Sequence, residues 1–343
     1  MDDVITRVEG HVGRIMLNRP KALNALTLYM VNRISGALAS WEQDPRVKLV
    51  LIDGAGDRAF CAGGDIMRLY EAGRAGRFEE ARCFFQHEYR LNAQIASYPK
   101  PYVALTDRTV MGGGVGLAGH GSHRIVTERS LVAMPECAIG LIPDVGGTFL
   151  LARAPGHLGE YLGLTGARMT AADAITAGFA THFVESSQIE ALTATLVETG
   201  DVGVISRYAK NPSPSHLDSN RPAVDRIFGR KTLADILHAL EVEAGDWARS
   251  AEKALATGSP LSLHCTLAAI RRARPMTRVG DALATEYRFT SRALTEGDLI
   301  EGIRAAVVDR DRSPRWSHRT IHDVRDSDVE AMLAPLGADE LAL

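Results

Sequence analysis

From about residue 1 to residue 185 the chain alternates strand-like runs, glycine-rich loops and helix-like runs, an order that fits α/β architecture with a partly parallel sheet. Val4–Val8 and Gly13–Leu17 flank Glu9-Gly10-His11 and read as a hairpin. Thr27 can cap a helix whose apolar residues Val31, Ile34, Leu38 and Trp41 fall at steps of 3, 4 and 3. Asp44-Pro45 ends that helix, and Val47–Ile52 reads as a buried strand. The loop Gly54–Gly64 then leads into a helix beginning near Asp65. The pattern recurs: a helix through Phe84–Ala96, a strand at Tyr102–Thr106, the triplet Gly112-Gly113-Gly114 and a short apolar helix to His120. A strand at Arg124–Thr127 follows, with a Pro-Glu loop after it. No fixed-period repeat is present, although strand-strand-helix units can repeat in structure without one.

At Asn211–Pro222 the composition turns polar and proline-rich, which marks a linker or excursion. Downstream the periodicity is helical over Thr232–Leu240, Ala244–Thr257, Leu261–Arg272 and Val279–Leu294, with Ser259-Pro260 a good start for the third. The expected organisation is therefore a core over residues 1–210 and a mainly helical lobe over 211–343.

With 45% hydrophobic and 24% charged residues in 343, the chain has an ordinary globular composition. A net charge of -3 provides no global attraction to nucleic acid or to an anionic membrane. No run of about 18 apolar residues suggests a membrane span. Cys61, Cys83, Cys137 and Cys265 are scattered without a C-x-x-C pair, and the N-terminus shows no signal or presequence pattern. Both point to a reducing, cytoplasmic setting. Cys61 and Cys137 fit small buried hydrophobes better than nucleophiles.

The segment Met134–Gly147 places Glu136 and Asp144 eight residues apart among apolar residues, each directly after a proline. Buried carboxylates are costly unless compensated, so the segment reads as a site holding two acids. Two glycine clusters accompany it. In Arg58–Ile66 a Gly-Gly pair meets a helix start, where backbone N–H groups are free to face a ligand oxygen. In Met111–Gly119 three consecutive glycines permit close backbone approach. Donors from the two turns could form an oxyanion hole, while a simple cap and tight helix packing explain the glycines equally well.

Other chemistries find weaker support. Gly114-Val-Gly-Leu-Ala-Gly119 matches G-x-G-x-x-G, but Glu136, the acid about 20 residues on, lies in a loop rather than ending a second strand. His120 and His123 lack a metal-binding context, and no G-x-S-x-G elbow occurs. Glu88, on a helix, reads by default as part of a solvated face.

Phe60–Asp65, Met111–Leu117 and Pro135–Gly147 together resemble the crotonase (enoyl-CoA hydratase/isomerase) superfamily. Glu286-Tyr-Arg-Phe289 and Glu301–Trp316 are similar to its branch of 3-hydroxyisobutyryl-CoA hydrolases. The resemblance implies a crotonase-like ββα spiral followed by a helical lobe. It further implies that Gly64 and Gly113 supply oxyanion-hole N–H groups, that Glu136 is nucleophile or general base, and that Asp144 holds a substrate hydroxyl or shuttles a proton. Glu88 lines the acyl pocket on the same pattern. Gly116 stands where hydratases carry their first catalytic glutamate, and Asp144 where they commonly carry glycine. This implies hydrolysis of a short β-hydroxyacyl-CoA, such as 3-hydroxyisobutyryl-CoA in valine breakdown. The alternatives are a hydratase or isomerase on the same fold, or a non-catalytic CoA-binding protein. CoA is then substrate, with no metal or separate cofactor, and a trimer-based homo-oligomer is the superfamily habit.

Overall fold

The computed structural model describes residues 2–343, which divide into two compact units. The first comprises the segments up to Gly64, Arg90–Ala133 and Met169–Asp218; the second comprises Asp65–Tyr89, Met134–Arg168 and Ser219–Leu343. The last strand ends at Lys210, so residues beyond it are helix or loop, although compactness divides the chain along other lines.

All strands belong to the first unit: β1 (Val4–Glu9), β2 (Val12–Leu17), β3 (Leu49–Gly54), β4 (Ala59–Cys61), β5 (Tyr102–Thr106), β6 (Thr109–Met111), β7 (His123–Val126), β8 (Leu131–Ala133), β9 (His182–Val184) and β10 (Ala209–Lys210). Seven form one sheet in the order β1-β2-β3-β5-β7-β9-β10, and β4-β6-β8 form a second. The β1/β2 hairpin and the β9/β10 pair are antiparallel; every other pairing is parallel. Three times in succession the chain passes from the large sheet to the small one, as β3-β4, β5-β6 and β7-β8. A helix or helical turn follows each passage, which is the ββα spiral expected.

One face of the large sheet presents Val12, Leu49, Leu51, Val103, Leu105, Ile125 and Val184. Against it pack Leu192 and Leu196 of the helix Ile189–Thr199. Alternate residues along each strand point to one face, so these parallel strands supply a continuous apolar layer. The helix Leu28–Glu42 is capped as expected, its Met30 N–H donating to Thr27 Oγ1 at 3.3 Å. It brings Trp41 so close to Gly13 that a Cβ there would collide with the indole ring.

The second unit is helical. Ser259 caps the helix Pro260–Ala273 by accepting from Ser262 N–H at 3.1 Å, with Pro260 in the first turn. Around that helix pack Gly147–Arg153, Leu158–Thr165, Val279–Ala293 and Asp326–Leu333.

Two expectations need correction. The small sheet was not anticipated, because strands of three residues are too short to show a period of two. The linker expected at Asn211–Pro222 is instead largely the helix His216–Phe228. The buried Asp173 carboxylate accepts from Leu217 N–H at 3.0 Å and from the Ser215 hydroxyl at 2.8 Å, holding the start of that helix. Pro222 lies inside it despite the usual penalty of about 3 kcal/mol for an interior proline.

Glycine spacing in the first unit is tested at Gly114, where a Cβ would land on the Cys61 carbonyl oxygen of β4. Gly114→Ala should destabilise the fold by about 1–3 kcal/mol in denaturant melts, as overpacking does. Gly36→Ala, on a helix with nothing within 4 Å, should be neutral or stabilising. Equal effects of the two changes would contradict this packing role.

Candidate active site

Glu136 opens the helical turn Glu136–Ile139, which Pro135 precedes and Gly140 closes in the left-handed region at φ 75°. The turn is pinned from outside. Cys137 accepts on its carbonyl from Ser259 N–H at 3.0 Å, and its Sγ lies 3.1 Å from Thr266 Oγ1 on the helix Pro260–Ala273. Burial pushes the Cys137 thiol up to about 12, so this cysteine is part of the packing and not a nucleophile.

Asp144 lies in a tighter turn. Val145 has φ 56° and Gly146 φ 78°, so two consecutive residues are left-handed, one of them β-branched. Glu286, from the helix Val279–Ala293, holds this backbone in place. Its carboxylate accepts from Gly146 N–H at 2.7 Å and from Thr148 N–H at 2.9 Å, and it also meets the Thr148 hydroxyl. The Asp144 carboxylate is held separately, by the Tyr89 hydroxyl donating to Oδ2 at 2.6 Å. That hydroxyl also lies 3.4 Å from Thr290 Oγ1, one turn beyond Glu286 on the same helix.

Glu88 precedes Tyr89 and is 2% exposed; Glu136 is 5%, Asp144 4% and Glu286 0% exposed, so the default of a solvated Glu88 is overturned. Burial is the leading cause that raises all four carboxyls. Glu136 and Glu88 are pushed well above the ordinary glutamate value, each also by the charge of Asp144. Glu286 rises to about 8 against the pull of its donors. Asp144 rises less, to about 6, because Tyr89 stabilises its ionised form. Glu136 Oε2 and Glu88 Oε1 are buried without a hydrogen-bond partner. A set of acids whose values are pushed apart in this way can hold and move a proton near neutrality.

The two glycines predicted as donors lie together in the first unit. Gly64 bridges Leu26 in parallel fashion, and Leu26 N–H donates to the Gly63 carbonyl at 2.8 Å. Gly63 has φ 109°, and a Cβ on it would lie 3.6 Å from Gly113 N. Gly113 begins the helix Gly113–Ala118, so its N–H is among those left unused within the helix. The G-x-G-x-x-G match proves to be packing, with Gly114 set against β4. Asp65 occupies the cap position of its helix without a side-chain cap bond. His123 stacks on His182 at 5.9 Å and meets Ser122 Oγ at 2.9 Å.

Tyr89, Thr148, Glu286 and Thr290 were not singled out as site residues. The sequence carried one clue to them, the family-like Glu286-Tyr-Arg-Phe stretch, but a helical Glu and a Tyr give no local sign of facing a loop 140 and 55 positions away. A cavity of about 630 Å³ in the first unit, lined by Glu9, Arg14, Asp53, Asp107, Arg108 and Arg129 among others, includes none of the predicted site residues. Its arginines are paired with its own acids.

The chain belongs to the enoyl-CoA hydratase/isomerase family, whose profile matches residues 12–333. The chain is 41% identical to the mitochondrial 3-hydroxyisobutyryl-CoA hydrolase of Danio rerio, over 99% of this chain and 92% of that one. It is 40% identical to 3-hydroxyisobutyryl-CoA hydrolase 1 of Arabidopsis thaliana, over 95% and 90%. Among solved structures it superposes on an enoyl-CoA hydratase from Rhodobacter sphaeroides with TM-score 0.96 and 49% identity, covering both chains fully. A carnitinyl-CoA dehydratase from Mycobacterium thermoresistibile gives TM-score 0.95 and 45% identity, over 100% and 99%. No helix among the described residues is long and apolar enough to cross a membrane.

A pH dependence of stability follows from the carboxyls. Each has a folded-state value above its unfolded one, so the native state binds extra protons between the two values. The contribution is therefore fully present at low pH and is lost as pH rises through about 6 for Asp144 and about 8 for Glu286. The melting temperature should fall from about pH 6 to about pH 9, and fall less in Glu88→Gln. A melting temperature that rises across this range would contradict the assignment.

Proposed function

We propose that the chain hydrolyses a short β-hydroxyacyl-CoA thioester, with 3-hydroxyisobutyryl-CoA as substrate and 3-hydroxyisobutyrate and CoA as products. The observation that carries this reading is the pairing of buried Asp144 and Glu136, with Gly116 where hydratases hold their first catalytic glutamate. Hydrolase relatives at about 40% identity over nearly the whole chain support it. CoA enters as part of the substrate, and the mechanism invokes no separate cofactor.

On the family pattern, Gly64 and Gly113 N–H groups polarise the thioester carbonyl, and losing one such donor typically costs about 2.7–4 kcal/mol of transition-state stabilisation. Ionised Glu136 then either attacks the carbonyl carbon or takes a proton from an attacking water. In the first route the C–S bond breaks to give a mixed anhydride and the CoA thiolate. Water then cleaves the anhydride and restores the carboxylate. In the second route water adds directly, its proton passing to Glu136 and on to the departing sulfur. Asp144 receives the substrate hydroxyl or relays that proton, and Glu88 borders the acyl group. Burial and the charge of Asp144 raise Glu136 and Glu88 above the ordinary glutamate value, so each holds a proton more firmly than a solvated glutamate.

The two superposing structures, of a hydratase and a dehydratase, favour the second reading of water addition to an enoyl thioester. Gly116 weighs against it, since no carboxylate stands there to act with Glu136. The reaction would serve valine breakdown. We place it in the cytoplasm on the strength of four free thiols, although vertebrate relatives bear mitochondrial names, and a trimer-based assembly follows only from superfamily habit.

Free-thiol release from 3-hydroxyisobutyryl-CoA should far exceed hydration of crotonyl-CoA; rapid hydration without thiol release would overturn the hydrolase reading. Glu136→Gln should lower kcat by about 10²–10⁴ with CoA binding retained, as loss of a general acid-base group does. Asp144→Gly should abolish most hydrolysis. Hydrolysis at the wild-type rate in that variant would reduce Asp144 to a structural part of its loop.

A further inference from the structure

The helix Val279–Ala293 acts on the Asp144 turn by two separate, indirect routes. Glu286 binds the backbone of the turn just after it, through Gly146 N–H at 2.7 Å and Thr148 N–H at 2.9 Å. One turn along the same helix, Thr290 Oγ1 lies 3.4 Å from the Tyr89 hydroxyl, which donates to Asp144 Oδ2 at 2.6 Å. The Tyr89 ring is itself fixed, edge-on against Tyr287 with centroids 6.2 Å apart and tilted against Phe85 at 6.0 Å. The Tyr287 hydroxyl in turn accepts from Gln86 Nε2 at 2.7 Å. One helix face therefore holds the backbone just after Asp144 and borders the Tyr89 hydroxyl that holds its carboxylate.

We propose that Tyr89 and Glu286 are positioning residues for Asp144 in thioester hydrolysis, Tyr89 orienting its carboxylate and Glu286 locking the left-handed turn that presents it. This rests on the reading of Asp144 as a reacting acid. Val145 explains why a lock is needed: a β-branched residue at φ 56° is strained and persists only where the surroundings over-determine it. Glu286 supplies that constraint with acceptors on both sides of Gly147. An amide in its place would keep one acceptor and turn an NH₂ toward the other donor.

The groups facing Asp144 are Glu88 and Tyr89 from the helix Phe78–Ala96, Glu136 from its turn, and Glu286 from Val279–Ala293, with Thr290 set against the Tyr89 hydroxyl. Among them Tyr89 donates to Asp144. Burial and the neighbouring carboxylates raise its own ionisation, so it remains a neutral donor across the working range. Removing its hydroxyl withdraws the bond that favours ionised Asp144, and the limb of the pH–rate profile set by Asp144 moves upward. The direction is the same whether the reaction needs Asp144 ionised or protonated.

The test is a double-mutant cycle read by thiol release from 3-hydroxyisobutyryl-CoA. Tyr89→Phe keeps the ring packing; it should lower kcat at least tenfold, change KM less than about threefold, and shift the Asp144 limb up by about one pH unit, the scale of a hydrogen bond to a charged acceptor. Glu286→Gln should lower kcat similarly. In an Asp144→Asn background, Tyr89→Phe should have almost no further effect, because it acts through Asp144. An unchanged rate and pH limb in Tyr89→Phe, or an effect that multiplies in full with that of Asp144→Asn, would overturn the proposal while leaving Asp144 in place. Wild-type turnover in Asp144→Asn alone would instead remove the role of Asp144 on which it rests. Should Glu286→Gln fail to fold, the Tyr89 cycle decides the outcome.

Discussion

Burial of carboxylates is the constraint on which the second unit turns. Glu88, Glu136, Asp144 and Glu286 are each nearly excluded from solvent, and an isolated charge there would cost several kcal/mol. The protein answers unevenly. Glu286 is given three donors, Asp144 is given the Tyr89 hydroxyl, and Glu88 and Glu136 each keep a buried oxygen with no partner. Glu286, satisfied on three sides, holds the structure; Asp144 is oriented by its one donor, and Glu88 and Glu136 are left with capacity for a ligand or a proton.

That division explains the local architecture. Pro135 and Pro143 fix the approach to each acid, Gly140 and Gly146 close the turns in left-handed geometry, and the helices Pro260–Ala273 and Val279–Ala293 pin the two turns from behind. In the first unit the same economy of backbone space appears at Gly114, where a Cβ would meet the Cys61 carbonyl of β4, and at Gly63, held at φ 109° close to the Met111 carbonyl. Rigid helices and strands thus set loop residues, the usual way a scaffold carries chemistry.

Much of this was legible in the sequence because it depends on local signals. The Thr27 cap, the Ser259-Pro260 start and the strand at Tyr102–Thr106 all follow from capping and apolar patterning within a few residues. Glu136 and Asp144 stood out because acids are unusual between prolines and glycines in an apolar run. The small sheet escaped because its three-residue strands are too short to display a period-two alternation. The helix through Pro222 escaped because its start is held by Asp173, a residue 43 positions earlier than His216. Tyr89 and Glu286 escaped for the same reason: their importance comes from contacts across 55 and 140 positions, which no local composition reports.

The central claim is that burial keeps these four carboxyls, taken together, partly protonated at neutral pH. Infrared spectroscopy of the carboxylic-acid carbonyl band, followed in the ligand-free protein across neutral and alkaline pH, measures this directly. The account predicts acid-form signal at pH 7 that disappears only as the solution becomes alkaline and that weakens in Glu136→Gln. Complete ionisation by about pH 6, as for solvated carboxyls, would contradict it.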